Sequence, residues 1–141
     1  MTGLDLIELD ESKAYMLPYA PAIKVPPGSE YFFLSGVTEA QGTSEDYPDD
    51  IRAQVHRVLG RHTEVLAANG LTWDHVLHEY EFLTDMREAD AVHAAMGEFY
   101  RATAPSAWKP ADTLIGVNAL RVPGARFELD LIAARGAEVS R

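Results

Sequence analysis

A capped amphipathic helix is the feature that most constrains the fold of this chain. Asp49 and Asp50 provide an N-cap and negative charge at the start of the segment, and Asn69-Gly70 provides a left-handed stop. Between these ends, the side chains of one face recur at helical spacing: Ile51, Val55, Val58, Leu59, His62 and Leu66. We predict a helix over 50–69 that must bury this face against another layer.

A second helix is predicted further along the chain. It begins after a cap at Asp85 and ends before Pro105. Its apolar stripe consists of Ala89, Val92, Met96, Phe99 and Tyr100. This helix also needs a layer to pack against.

The segments around the two helices have the character of strands. Residues 30–36 are aromatic-rich, residues 75–83 alternate between two faces, and Phe127, Leu129 and Leu131 alternate with Glu128, Asp130 and Ile132. Weaker strands are predicted over 3–9, 22–25 and 114–120. The predicted order is β-β-β-α-β-α-β-β, an α+β domain whose two helices pack on one face of a mixed sheet. The second sheet face then needs another cover, and oligomerisation is the simplest one.

The composition favours one acidic globular domain. The chain has 141 residues, of which 12 are basic and 22 acidic, and its net charge is −10. Because an extended polyphosphate is bound by a basic surface, nucleic acid is not an expected partner. No apolar run approaches the length of a membrane span, and the first residues lack a cationic and apolar leader. We therefore expect a cytoplasmic protein without a membrane partner.

The sequence gives little support for a metal site or for cysteine chemistry. The chain contains no cysteine, which excludes disulfides, thiolate metal sites and cysteine nucleophiles. His75 and His78 are expected on opposite faces of a strand, and His56 and His62 diverge on a helix. The acidic run over 39–50 lacks the ligand spacing of a calcium loop. We expect no metal.

Four short strings stand in an order and at a spacing that match one protein family. They are Leu17-Pro18-Tyr19-Ala20-Pro21-Ala22-Ile23-Lys24-Val25, Phe33-Leu34-Ser35-Gly36, Leu83-Thr84-Asp85-Met86 and Phe127-Glu128-Leu129-Asp130-Leu131-Ile132-Ala133. They resemble a Gly-Pro-Tyr-Ser-x-Ala segment, a Val-Ser-Gly strand end, a strand-to-helix junction and a closing Glu-Ile-Glu-Ala-Ile-Ala strand of the Rid proteins. This family is also called the YjgF or reactive-intermediate-deaminase family. The resemblance predicts a single domain over 1–141 with a core at 17–134 and a tail at 135–141.

The resemblance implies a chorismate-mutase-like fold assembled as a homotrimer, in which the sheets form a central barrel and clefts lie between neighbouring subunits. Active members of the family hydrolyse enamines and imines such as 2-aminoacrylate to ketoacids and ammonia, without a metal or organic cofactor. In them a Pro-Ala-Arg-Ser string places an arginine that holds the substrate carboxylate. A glutamate on the last strand positions water.

This chain departs from the family pattern at the arginine. Pro110-Ala111-Asp112-Thr113 is similar to Pro-Ala-Arg-Ser, so Asp112 stands where the resemblance puts a cation. An anion there repels a carboxylate substrate instead of pairing with it. The glutamate, tyrosine and serine-glycine elements are retained as Glu128, Tyr19, Ser35 and Gly36.

The predicted site therefore contains two carboxylates. We expect Glu128 to orient or activate water, and Asp112 to act as a second acid or base or to bind a substrate amino or hydroxyl group. If the two face each other across the cleft, repulsion raises one pKa. The alternatives are that Asp112 is a solvated loop residue and that Arg121 or Arg126 pairs with Glu128. The expected substrate-binding residues are Tyr19, Ser35, Gly36, Trp108 and Thr113.

Two classes of function stay open. The first is a cofactor-independent enzyme that deaminates or tautomerises a small reactive enamine or imine of a catabolic or specialised pathway. The second is a non-catalytic trimeric metabolite-binding or chaperone-like protein, which the loss of the arginine favours. An endoribonuclease, as some relatives have been called, would have to overcome a net charge of −10 in each subunit.

Overall fold

The computed structural model describes residues 3–7, 19–38, 48–103 and 109–136, which form two α-helices and six strands. Helix α1 spans Ile51–Ala68 and α2 spans Ala89–Thr103. The strands are β1 (Asp5–Ile7), β2 (Ala22–Lys24), β3 (Glu30–Val37), β4 (Val76–Leu83), β5 (Ala111–Gly116) and β6 (Phe127–Arg135). Short 3₁₀ turns at Trp73–His75 and Met86–Glu88 precede β4 and α2. None of the helices in these ranges combines the length and apolar character that a membrane crossing needs.

The predicted element order is confirmed, and both predicted helix starts have side-chain caps. The Asp50 carboxylate accepts a hydrogen bond from the Arg52 amide at 3.1 Å, which satisfies a donor at the start of α1. Asp85 does the same for the Arg87 amide at 3.0 Å, although a 3₁₀ turn forms there before α2 begins. The helices therefore lie where the capping residues and the periodicity place them.

One predicted strand is misplaced. The sequence predicts it over 114–120, but β5 runs over Ala111–Gly116 because it pairs in parallel with β4. The pairing extends from His78 opposite Ala111 to Leu83 opposite Gly116. Since β4 ends at Leu83, the residues after Gly116 have no ladder partner there.

A four-stranded mixed sheet in the order β3-β6-β4-β5 is the centre of the fold. Strand β6 runs antiparallel to both of its neighbours, and β1 and β2 form a separate two-stranded sheet. Both helices cover the same sheet face. The core between them and the sheet contains Val55, Val58, Leu59 and Leu66 of α1, Val92, Ala95 and Met96 of α2, and Phe127, Leu129, Leu131 and Ala133 of β6.

The other sheet face is not covered by any element of the described ranges. Phe32 and Leu34 of β3 pack against the core, so the alternating residues Tyr31 and Phe33 project from the opposite face. Tyr31 is 51% exposed and Phe33 is 77% exposed. An uncovered aromatic face of this kind is typical of a subunit interface.

Candidate functional site

The last strand carries its two carboxylates on the uncovered face. In the β4–β6 ladder, Glu128 lies opposite Phe82 and Asp130 lies opposite Tyr80. Cross-strand partners project from the same face of a sheet, so all four side chains share the side away from the helices. The predicted alternation of this strand is therefore confirmed.

Glu128 lies directly over the backbone of Gly36. A Cβ added at Gly36 would overlap Glu128 Oε1 and would lie 3.0 Å from Glu128 Cδ. Glycine at this position leaves room for the carboxylate, and any larger residue would displace the Glu128 side chain from its place. Partial burial raises the pKa of Glu128, and the neighbouring Asp130 carboxylate raises it further. A half-buried carboxylate with a raised pKa is suited to accepting a proton from water.

A second group of titratable side chains lies on the helix-facing side of the sheet. In the parallel β4–β5 pair, Asp112 is opposite Glu79, and Glu81 occupies the next position on the same face. His93 reaches this group from α2, with Nε2 at 3.3 Å from Glu81 Oε2. One donor atom from each of Glu81, His93 and Asp112 lies within 4.8 Å of the other two. We call these three residues the acid–histidine cluster.

The acid–histidine cluster is closed on the side of the sheet and partly open elsewhere. The Glu81 side chain is 2% exposed and the His93 side chain 37%. Four of the buried side-chain atoms that have no hydrogen-bond partner among the described residues lie in or next to the cluster: Glu79 Oε1, Glu81 Oε2, His93 Nε2 and Asp112 Oδ1. His93 Nε2 and Glu81 Oε2 thus lie 3.3 Å apart without good hydrogen-bond geometry, and the contact is an ion pair when His93 is protonated.

Burial and like charges shift the pKa values of this group. Burial raises the pKa of Glu79 well above its usual range, and the neighbouring Glu81 and Asp112 add to the effect. Burial and the Glu81 carboxylate raise the pKa of Asp112 to about 7. Its contact with Glu81 raises the pKa of His93. Without a bound cation, the cluster therefore holds protons that isolated carboxyls would release.

The structure separates the two carboxyls that the sequence analysis placed in one site. Asp112 is on the helix-facing side of the edge strand β5, whereas Glu128 is on the opposite face of β6, with β4 between them. Within one chain the two do not face each other. Asp112 is influenced by Glu81, and Glu128 is influenced by Asp130. A contact between Asp112 and Glu128 requires two chains and stays a prediction.

The expected substrate-binding residues that the structure describes lie at the two opposite edges of the sheet. Tyr19, which is 39% exposed, lies at the start of β5, where the Ala20 amide donates a hydrogen bond to the Pro110 carbonyl at 2.9 Å. Thr113 is on the uncovered face, with Oγ1 at 3.4 Å from His78 Nε2. Ser35 and Gly36 belong to β3 at the other edge of the sheet, and Trp108 lies outside the described residues.

Neither of the two cations considered as partners of Glu128 pairs with it among the described residues. Arg126 Nε donates to Glu88 Oε2 at 2.9 Å, and its Nη2 donates to the Asp49 carbonyl at 2.6 Å. The proposed pairing of Arg126 with Glu128 is therefore wrong, because the guanidinium ties the start of β6 to the starts of both helices. Arg121 is exposed and forms no ion pair with Glu128 in the part of the chain that the structure describes.

Sequence reasoning missed the acid–histidine cluster as a site. Histidines close in sequence give no indication of it, since His56 and His62 diverge on α1, one exposed and one buried. The cluster instead combines residues from β4, α2 and β5. One signal was available, because Glu79 and Glu81 share the alternating face of Leu77 and Leu83, and carboxylates on an apolar face need a partner.

Comparison with known proteins agrees with the observed fold. The sequence model of the family described as endoribonuclease L-PSP matches residues 11–135. Protein DfrA of Myxococcus xanthus is 32% identical over 127 residues, which cover 90% of this chain and 92% of that protein.

Solved structures show the same architecture. The Rid-family protein YyfB of Yersinia pestis matches with a TM-score of 0.72 at 23% identity, over 93% of this chain and 98% of that one. The YjgF gene product of E. coli matches with a TM-score of 0.67 at 22% identity, over 84% and 88% of the two chains. TdcF of E. coli, solved with bound serine, matches with a TM-score of 0.67 at 23% identity, over 84% and 89%. These likenesses confirm the predicted α+β fold.

Proposed function

Because this chain belongs to the YjgF/Rid family, we propose that it is a small-molecule enzyme that hydrolyses or tautomerises a reactive enamine or imine. The observation that carries the proposal is the Glu128 carboxylate, which is held over Gly36 on the uncovered sheet face. Membership of the family supports the reaction class, and the position of Glu128 over Gly36 supports its proposed role in handling water.

The chemistry needs one proton acceptor and one water molecule. An enamine takes up a proton at carbon to give an iminium ion, and water adds to the C=N carbon while Glu128 accepts the proton that this water loses. Glu128 then returns its proton to the nitrogen of the resulting carbinolamine, and the C–N bond breaks to release ammonia. The carbinolamine hydroxyl loses its proton to solvent as the C=O bond forms, which balances the proton taken up at carbon. The product is a carbonyl compound, and one water is consumed. A positioned general base contributes about 10²–10⁴-fold to such a step.

The cleft of this enzyme is proposed to lie between neighbouring chains. Glu128 and Gly36 lie toward the β3 edge of the sheet, whereas Tyr19 and Asp112 lie at the β5 edge. The exposed Phe33 face provides apolar area for a contact between chains. In a ring of three subunits, the Glu128 group of one chain and the Asp112 group of the next would form opposite walls of one cleft.

The electrostatics favour a substrate without a carboxylate at the Asp112 wall. TdcF was solved with serine, a ligand that carries a carboxylate. In this chain Asp112 adjoins Glu81 and Glu79, so a carboxylate placed there meets like charge. We expect recognition of an amino, iminium or hydroxyl group instead.

Ammonia release tests the proposal. The purified protein is given 2-aminoacrylate generated in situ and, separately, a ketimine without a carboxylate, and ammonia is measured with a coupled dehydrogenase. We expect the ketimine to be the better substrate and Glu128→Gln to lose about 10²-fold or more of the turnover. Gly36→Ala should lose a similar share because its Cβ displaces the carboxylate.

Gly60→Ala is the matched control, since a Cβ there meets nothing within 4 Å. Full turnover by Glu128→Gln would overturn the proposed role of this residue. Ligand-induced thermal stabilisation of the wild type without ammonia release or tautomerisation would replace the enzyme by a metabolite-binding protein.

A further inference from the structure

The acid–histidine cluster has the composition and spacing of a metal-binding site. Glu81 and Asp112 offer carboxylate oxygens and His93 offers an imidazole nitrogen, all within 4.8 Å of one another. In a tetrahedral site with bonds of about 2.0–2.2 Å, the ligand atoms lie about 3.3–3.6 Å apart. His93 Nε2 and Glu81 Oε2 already have this separation at 3.3 Å, and a pair near the 4.8 Å limit has to close by about 1.3 Å through side-chain rotation.

Unpartnered buried atoms point into the cluster. Glu81 is 1% exposed, and its Oε2 atom lies toward His93 without completing a hydrogen bond among the described residues. The neighbouring Glu79 is 3% exposed, and its Oε1 atom is also without a partner. Buried carboxylates of this kind are costly unless a cation or a donor meets them. A bound cation would satisfy Glu81 directly and would reduce the repulsion on Glu79.

We propose that Glu81, His93 and Asp112 bind one divalent transition-metal ion, of the Zn²⁺, Mn²⁺ or Fe²⁺ class. Calcium and magnesium prefer all-oxygen sites, whereas an imidazole nitrogen beside carboxylates suits transition metals. Three protein ligands leave at least one coordination position open. His93 is more exposed than Glu81, so solvent reaches the cluster from the His93 side.

The metal site does not depend on the proposed hydrolysis. Glu128 lies on the other face of the sheet within the chain and takes no part in the ligand set. An ion in the cluster could polarise a substrate nitrogen or oxygen that enters the cleft. Metal binding and ammonia release are therefore measured separately, and either can fail while the other holds.

Metal binding is tested on the full chain without a polyhistidine tag. The protein is stripped with EDTA, dialysed and titrated with Co²⁺, whose visible spectrum reports coordination, and Zn²⁺ is then used as a competitor. We expect one ion per chain at micromolar concentrations. His93→Gln and Asp112→Asn should each weaken binding at least about tenfold, the lower end of what disturbing even the outer shell of a metal site costs.

The controls use matched substitutions elsewhere in the molecule. His56→Gln changes an exposed histidine of α1, and Asp130→Asn changes a carboxylate on the opposite sheet face; both should bind Co²⁺ as the wild type does. The proposal is overturned if the wild type binds no Co²⁺ or Zn²⁺, or if the cluster variants bind as tightly as the controls.

Thermal unfolding separates lost ligation from lost folding. Asp112→Asn removes one of several like charges, so the metal-free variant should melt no lower than the metal-free wild type. The rise in melting temperature on adding Zn²⁺ should be present in the wild type and absent in the variant. An equal rise in both would show that the ion binds elsewhere.

Discussion

Replacing His62 by leucine tests how α1 is anchored to the sheet. His62 is 1% exposed, and its Nε2 lies 2.6 Å from the Leu129 carbonyl. A carbonyl only accepts hydrogen bonds, so Nε2 must carry the proton. Leu129 pairs with Val37 beside a register shift in the β3–β6 ladder. The His62 imidazole therefore donates its hydrogen bond to the Leu129 carbonyl at a point where the ladder is irregular. Leucine has a similar volume but offers no donor.

The loss of stability caused by His62→Leu should depend on pH, because His62 is buried in the folded protein. Near neutral pH, His62→Leu should lower the free energy of unfolding by about 1–3 kcal/mol, because the buried Leu129 carbonyl loses its hydrogen-bond donor. Burial lowers the pKa of His62 below its unfolded value of 6.5. Below pH 6.5 the unfolded state therefore binds more protons than the folded state. As the pH falls, the free energy of unfolding of the wild type decreases by up to about 1.4 kcal/mol per pH unit. The leucine variant lacks this loss.

The measurement is urea unfolding followed by tryptophan fluorescence, because the buried Trp73 ring contacts His62 edge-on with centroids 6.5 Å apart. Between about pH 6.5 and pH 5 the advantage of the wild type over His62→Leu should shrink by up to about 2 kcal/mol. His56→Leu, on the exposed side of the same helix, should change stability by less than about 0.5 kcal/mol at either pH. An advantage that stays the same at both pH values would refute the reasoning.

Three further substitutions test the helix, the loop before β6 and the uncovered face. Gly60→Ala should raise the free energy of unfolding by about 0.5–1 kcal/mol, since a Cβ there meets nothing within 4 Å; a decrease measured in urea would contradict this. Arg126→Ala should lower the free energy of unfolding by about 1–2 kcal/mol, because the hydrogen bond to Glu88 is lost. An unchanged denaturation midpoint would argue against that contact. Phe33→Lys puts a charge on the exposed aromatic face. It should shift the protein from oligomer to monomer in light scattering, with an unchanged circular dichroism spectrum. An intact oligomer would place the interface elsewhere.

The parts of the fold that sequence could predict are those encoded by local periodicity. The alternation around Glu128 indicates its sheet face because side chains along a strand point to opposite sides. The ends of α1 follow from Asp50 and Asn69, which cap the backbone groups that the helix leaves free. The need for a second cover on the sheet also follows, since two helices suffice for one face only.

The surroundings of Asp112 could not be predicted in the same way. They depend on the parallel pairing of β4 with β5, which connects segments on either side of α2. They depend also on which turn of α2 crosses Glu81, since this choice brings His93 into contact. Neither the strand pairing nor the position of α2 can be predicted from the spacing of residues in the sequence. For the same reason the sequence left Asp112 either opposite Glu128 or in solvent, and the structure shows it beside Glu81.

The position of Asp112 changes what the missing arginine means. If Asp112 were a solvated loop residue, replacing a cation by an anion would only remove a binding contact. In the structure this carboxyl instead joins Glu79 and Glu81 on a face packed against α2, where an arginine would have been surrounded by negative charge. The chain thus keeps costly buried carboxyls and has an anion at the position where the resemblance puts a cation. Burial and like charge raise the pKa values of Glu79 and Asp112, so both hold protons that isolated carboxyls would release. The proposed positively charged ligand, a metal ion or a substrate ammonium group, would bind there by displacing those protons.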